Sequence, residues 1–160
     1  MAVFKLLLSD FDAIDYDLIA IHTTLEDYRL AFFINQKFPV LLSKSKDFLE
    51  FQTLNGLAFF SKFNYLQEDT EEEWTLIENK DELASERKSS TIDLFSNENE
   101  EIISNVYFLP DMKKVNYFLK IVNTTVQLDE ILLHLNEITQ ISTAYIVDVN
   151  KLKSKNNLIF

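Results

Sequence analysis

The side chains that could do chemistry are few, and they gather near the start of the chain. Asp10, Asp12, Asp15 and Asp17 precede His22, and convergent carboxylates are what a hard cation such as Mg²⁺ or Ca²⁺ requires. Their spacing is not that of a calcium-binding helix–loop–helix, and no glycine supplies its sharp turn, so a solvated acidic turn is the favoured reading. His22 and His134 are the two histidines, hence the side chains whose ordinary range lies nearest neutrality. His22 is expected close to Asp27 and Tyr28, where it would be a satisfied structural group more often than an acid–base partner. His134 is expected on the surface. Arg29 follows Glu26-Asp27-Tyr28, and a structural ion pair is favoured for it over bidentate capture of a carboxylate or phosphate. No catalytic, cofactor-binding or metal-ligating residue is therefore assigned, and no cofactor.

Two scarcities narrow the chemistry further. The sequence has no cysteine, which removes thiol nucleophiles, disulfides and thiolate metal sites. It has one glycine, Gly56, too few for phosphate-cradling loops, dinucleotide fingerprints or a nucleophile elbow. The net charge of −11 disfavours nucleic acid and anionic membrane as partners. Most of it sits between Glu68 and Glu101, where 13 acids face 3 bases. The first residues lack the pattern of a secretory signal and no apolar run has the length of a membrane span, so the cytoplasm is the expected compartment.

The elements that must position these residues follow from apolar spacing. At 160 residues the chain fits one domain, with 14 Phe, 6 Tyr and 1 Trp to bury. Residues 18–24 read as a buried strand leading to a helix over 25–37, capped by Thr24 with Asp27, and residues 40–42 as a short strand. Asn55-Gly56 between two aromatic runs predicts a hairpin with Leu54 opposite Leu57, Phe51 opposite Phe60 and Phe48 opposite Phe63. Its aromatics read as core in preference to a protein interface or a base-stacking platform. Trp74 to Ile77 is a further strand, and residues 78–104 read as a solvated acidic loop whose Ile92, Leu94 and Phe95 form a docking patch. A strand over 115–122, a helix over 125–139 capped by Thr124 with Gln127, and a strand over 143–149 complete the core. The tail Leu158-Ile159-Phe160 is expected to pair at its own sheet edge, ahead of crossing to a twofold partner or docking on another protein. The order predicts an α+β fold, a mostly antiparallel or mixed sheet covered on one face by two helices. A ferredoxin-like arrangement with an elaborated middle fits, although no internal repeat is evident.

Residues 109–117, Leu-Pro-Asp-Met-Lys-Lys-Val-Asn-Tyr, resemble the signature of the bacterial IPExxxVDY family. Pro110, Val115 and Tyr117 match it, and Leu109, Asp111 and Asn116 replace Ile, Glu and Asp. The stretches 25–31, 117–121 and 152–160 are similar to others of that family. The resemblance implies neither an activity nor site residues. The expectation is a non-catalytic protein-interaction or regulatory module, with an unidentified protein partner or a second copy of itself. The alternative is a small-ligand binder or enzyme using Asp10–Asp17, His22 and Arg29 at one end of the sheet.

Overall fold

The computed structural model describes residues 14–86 and 101–160. Asp10, Asp12, Ile92, Leu94 and Phe95 lie outside them. The first strand β1 (Tyr16–Thr23) leads to helix α1 (Asp27–Lys37), and then to β2 (Ser43–Lys44), β3 (Leu49–Thr53), β4 (Gly56–Phe60), β5 (Lys62–Gln67) and β6 (Glu72–Glu78). There follow β7 (Lys80–Glu86), β8 (Glu101–Tyr107), β9 (Tyr117–Val122), helix α2 (Leu128–Asn136) and β10 (Ile141–Ile146).

Six strands form one sheet in the order β10-β1-β9-β6-β5-β2, all neighbours antiparallel. The units β1-α1-β6 and β9-α2-β10 interleave, so that β9 separates β1 from β6 and β1 separates β9 from β10. That is the split β-α-β arrangement of a ferredoxin-like fold. The elaboration is a pair of insertions, β2 to β5 before β6 and β7-β8 after it.

Both units turn from helix to strand with the same device. Asn35 of α1 accepts from the Leu42 amide (2.8 Å) and donates to the Leu42 carbonyl (3.0 Å). Asn136 of α2 does the same with the amide (2.9 Å) and carbonyl (3.1 Å) of Ala144. Each helix is entered the same way too: the Leu25 amide donates to Thr23 Oγ1 and the Val126 amide to Thr124 Oγ1. The number of residues from threonine to asparagine is identical in the two units.

The sheet is buried on both faces, not one. On the helical side Ile19, Ile21, Trp74 and Leu119 pack with Ile34 and Ile131. On the other side Leu18, Ala20, Ile77 and Phe118 pack beneath the β3-β4 hairpin and the C-terminal segment. This explains the unbroken apolar run Leu18–Ile21, since a strand covered on both faces has no reason to alternate. The Phe51, Phe60 and Phe108 rings meet edge to face at 5.5–5.7 Å in this second layer. Such pairs add about 0.5–1.5 kcal/mol each beyond their burial.

Several local expectations change. The β3-β4 hairpin turns on Leu54 and Asn55, with Thr53 opposite Gly56 and Phe51 opposite Ala58. Gly56 carries the positive φ (138°), and Thr53 Oγ1 accepts from the Asn55 amide and donates to the Gly56 carbonyl, so the hydroxyl and the glycine set this turn. Each pairing slips by two residues, which preserves faces, so Phe51 still meets Phe60 diagonally. Phe48 precedes the hairpin, while Phe63 lies beyond it in β5. Residues 40–42 are not a strand, because Asn35 already occupies the Leu42 backbone. Helices α1 and α2 start at Asp27 and Leu128 with no side-chain cap, in place of the expected capping boxes.

The solvated loop over 78–104 is corrected most. Lys80–Glu86 pairs with Glu101–Tyr107 as an antiparallel ladder, Lys80 opposite Tyr107 and Glu86 opposite Glu101. The polar composition concealed it, because Leu83 and Val106 are the residues that pack inward onto the second core. The tail is corrected as well. Residues 155–158 form a 3-10 turn with Leu158 fully buried. Lys120 Nζ donates to the Leu158 carbonyl (2.8 Å) and lies over the rings of Tyr16 (4.6 Å) and Phe160 (4.5 Å). The tail therefore lies on the sheet's own face and joins no edge.

Candidate functional site

The residues singled out by type are not brought together. Asp15 and Asp17 lie at the start of β1 and His22 near its end, about 17 Å along an extended strand from Asp17. His22 stacks on Tyr145, with Nε2 3.1 Å from the phenolic oxygen, instead of meeting Asp27 or Tyr28. Arg29 is exposed and forms no ion pair among the described residues, contrary to its expected role. His134 is more engaged than a plain surface residue: Nδ1 lies 3.1 Å from Glu137, and its ring stands edge-on to Phe38. Among the described residues no group of three or more metal-ligating side chains converges.

What does converge lies where β6 ends, α1 begins and β7 starts. Glu78 is the last residue of β6, and its amide is fixed by the Ser61 carbonyl (3.1 Å). Asp27 stands in the first turn of α1. Its Oδ1 accepts from the Tyr28 amide (2.7 Å), and its Oδ2 accepts from Ser61 Oγ (2.7 Å) and Lys44 Nζ (3.3 Å). Burial works to raise its pKa, but these donors outweigh burial and hold the carboxyl below the usual aspartate range. Glu78 moves the other way. Burial, and then the negative charge of Asp27, push it above the usual glutamate range. Beside it the Tyr117 hydroxyl donates to the Leu25 carbonyl (2.8 Å), and burial pushes that phenol strongly upward.

Two cavities open here and share Glu78 and Lys80. The larger, about 570 Å³, is walled by Asp27, Lys44, Phe48, Phe59 and Asp81. The smaller, about 280 Å³, runs past Thr23, Asn116 and Tyr117 to Tyr107 and Lys113. Most polar groups of the walls are already engaged. Lys44 pairs with Asp27, Lys80 with Glu82 (2.7 Å), and Asp81 accepts from the amides of Phe59 and Glu82. The Glu78 carboxylate has no hydrogen bond or ion pair among the described residues.

The next residue, Asn79, anchors the chain beside these cavities without lining either of them. It is fully buried, donates from Nδ2 to the carbonyls of Met112 and Val115 (both 2.9 Å), and accepts at Oδ1 from the Leu109 amide (2.9 Å). Segment 109–117 is fastened at further points. Asp111 accepts from the amide and hydroxyl of Ser154, and Asn116 Oδ1 accepts from the Thr23 amide. These residues hold chain segments together through these bonds.

Glu78 and Asn79 are not marked by residue type, since in sequence they read as the start of the polar segment 78–104. The available signal was an acid directly after the apolar run Trp74–Ile77, at the point where a strand leaves the sheet. Among the described residues no helix is long and apolar enough to cross a membrane. Compared with protein-family models, with curated proteins and with solved structures, the chain finds no match in any of the three.

Proposed function

We propose that the chain is a non-catalytic interaction module that engages a partner at the Glu78 end of its sheet. One observation carries this reading: a half-buried carboxylate without a partner among the described residues stands in the wall common to two adjoining cavities, among neighbours that are already bonded. A preformed wall with one unspent charge favours recognition, because little has to be ordered when a ligand arrives. The competing reading, a ligand or substrate site using Asp10–Asp17, His22 and Arg29, has less support, since Asp17 and His22 occupy opposite parts of β1.

Kinship with the IPExxxVDY family and a cytoplasmic location belong to the same proposal. The first is supported by the defined duties of Leu109 and Val115 at Asn79, of Asp111 at Ser154 and of Tyr117 at Leu25, and the second by the absence of cysteine. Affinity capture from cell lysate tests the function, with wild type beside Glu78→Gln and a Lys37→Gln control at the far end of α1. Proteins held by wild type and the control should be released by Glu78→Gln. Retention of the same proteins by Glu78→Gln would refute the reading.

A further inference from the structure

The larger cavity also carries information about what it binds. Four carboxylates line it, Asp27, Glu78, Asp81 and Glu82, against two ammonium groups, Lys44 and Lys80. Each lysine is already neutralised, Lys44 by Asp27 at 3.3 Å and Lys80 by Glu82 at 2.7 Å. The remaining charge is that of Glu78 and Asp81, and it is negative. The aromatic wall is Phe48 and Phe59, whose rings meet edge to face at 6.2 Å and are 48% and 43% exposed. A half-exposed phenyl face beside an uncompensated carboxylate is the chemistry that attracts an organic cation, by ion pairing and by the negative face of the ring. An anionic ligand would meet two carboxylates with no free cation opposite them among the described residues. A bare metal ion would find too few convergent ligands among the described residues.

We propose that the larger cavity receives a primary ammonium or guanidinium group on an alkyl stem, with Glu78 as its counter-ion and Phe48 and Phe59 as its apolar wall. This rests on the proposed function, and in that setting the group is the lysine or arginine side chain of a partner. The cavity's volume accommodates such a stem together with water. Asp81 is held by two backbone amides and supplies the second acceptor without moving.

The test uses the full-length chain at neutral pH with two kinds of probe, the free amines cadaverine and agmatine and short capped peptides containing one lysine or one arginine. Amide resonances of Phe59, Glu78, Lys80 and Asp81 should shift saturably. Glu78→Gln should weaken the affinity at least tenfold, Phe59→Leu less, and Arg29→Gln not at all. Glu78→Gln removes no side-chain bond among the described residues, and an unchanged spectrum away from the cavity verifies that it folds.

Saturation by peptides but not by free amines supports a side chain presented by a protein. Saturation by both supports the cation chemistry and leaves the source to the capture experiment. No saturable shift with any probe, or shifts that persist in Glu78→Gln, would overturn the inference. If the probes fail while captured proteins are still released by Glu78→Gln, the ligand class is wrong and the docking end stands. If the probes bind but no captured protein depends on Glu78, the site is one for small amines and the interaction reading falls.

Discussion

Asn79→Ala should be among the most damaging single substitutions in this chain. The side chain is fully buried and makes three hydrogen bonds, two as donor and one as acceptor. Their loss is unequal in kind. The Met112 carbonyl keeps the Val115 amide as a donor (3.1 Å), whereas the Leu109 amide and the Val115 carbonyl would have no replacement partner among the described residues. Two orphaned buried groups cost about 1–3 kcal/mol each, and the third bond about 1 kcal/mol. The expected destabilisation is therefore about 5 kcal/mol, a large part of the roughly 5–15 kcal/mol that a domain has in total. With a urea slope of about 2 kcal/mol/M, the unfolding midpoint should fall by about 2.5 M. Asn79→Asp should be no milder, since a carboxylate cannot donate to the two carbonyls and would bury a charge. Equilibrium unfolding followed by Trp74 fluorescence measures both. A loss below about 1 kcal/mol with an unchanged slope would show that water replaces the amide, and would remove Asn79 as the fastener of segment 109–115.

Other outcomes follow from the same geometry. Burial raises the Glu78 pKa in the folded state, so the group opposes folding once it ionises: its penalty is absent below the ordinary glutamate range and grows as pH rises through the raised pKa. Its titratable neighbours there are Asp27, Lys44 and Asp81. Glu78→Gln should accordingly stabilise by about 0.5 kcal/mol at pH 7, after discounting for partial exposure, and by nothing at pH 3, as read by thermal unfolding. Asn136→Ala should cost about 1–2 kcal/mol and also unblock the outer edge of β10 at Ala144; concentration-dependent association in light scattering is the expected sign, and a strict monomer of unchanged stability would count against it. Lys120→Met should leave global stability within about 1 kcal/mol, because burial already disfavours the charge, yet it should speed hydrogen exchange at Ile159, whose segment Lys120 holds. Tail exchange as slow as in wild type would show that the apolar anchor Leu158 suffices.

Much of the frame was legible because it rests on periodicity. The helical stripe of Ile131 and Leu135 and the apolar runs at 18–21 and 117–122 lie where spacing put them, whereas on the first helix the spacing of Leu25, Tyr28 and Phe32 suggests one face, but Tyr28 and Phe32 are exposed and Leu30, Ala31 and Ile34 are the buried residues. The hairpin was legible as a hairpin, but its register was not. The Asn-Gly rule supposes that both residues occupy the turn, whereas Thr53 uses its hydroxyl to close the turn one residue earlier. The β7-β8 ladder was hidden for another reason. An exposed two-stranded ribbon buries little, so its sequence carries scarcely any alternation, and backbone pairing is invisible in composition. The site was illegible for a third. Glu78 matters through burial and through the charge of Asp27, and both depend on chain segments that the fold alone brings together. Residue type pointed to His22 and Arg29, whose surroundings give them no common task.

The covering of both faces of the sheet has a consequence for how the molecule opens. β1 and β9 are central and sealed from above and below, with Ile19, Ala20, Phe118 and Leu119 fully inaccessible. Their amides have no local route to solvent. They should exchange through opening of the whole domain, while β2, β7 and β8 exchange through cheaper local excursions. The second layer thus divides the molecule dynamically. A slow inner ribbon sets the global free energy, and the faster hairpins beside it can adjust around an incoming side chain without loosening the fold that carries them.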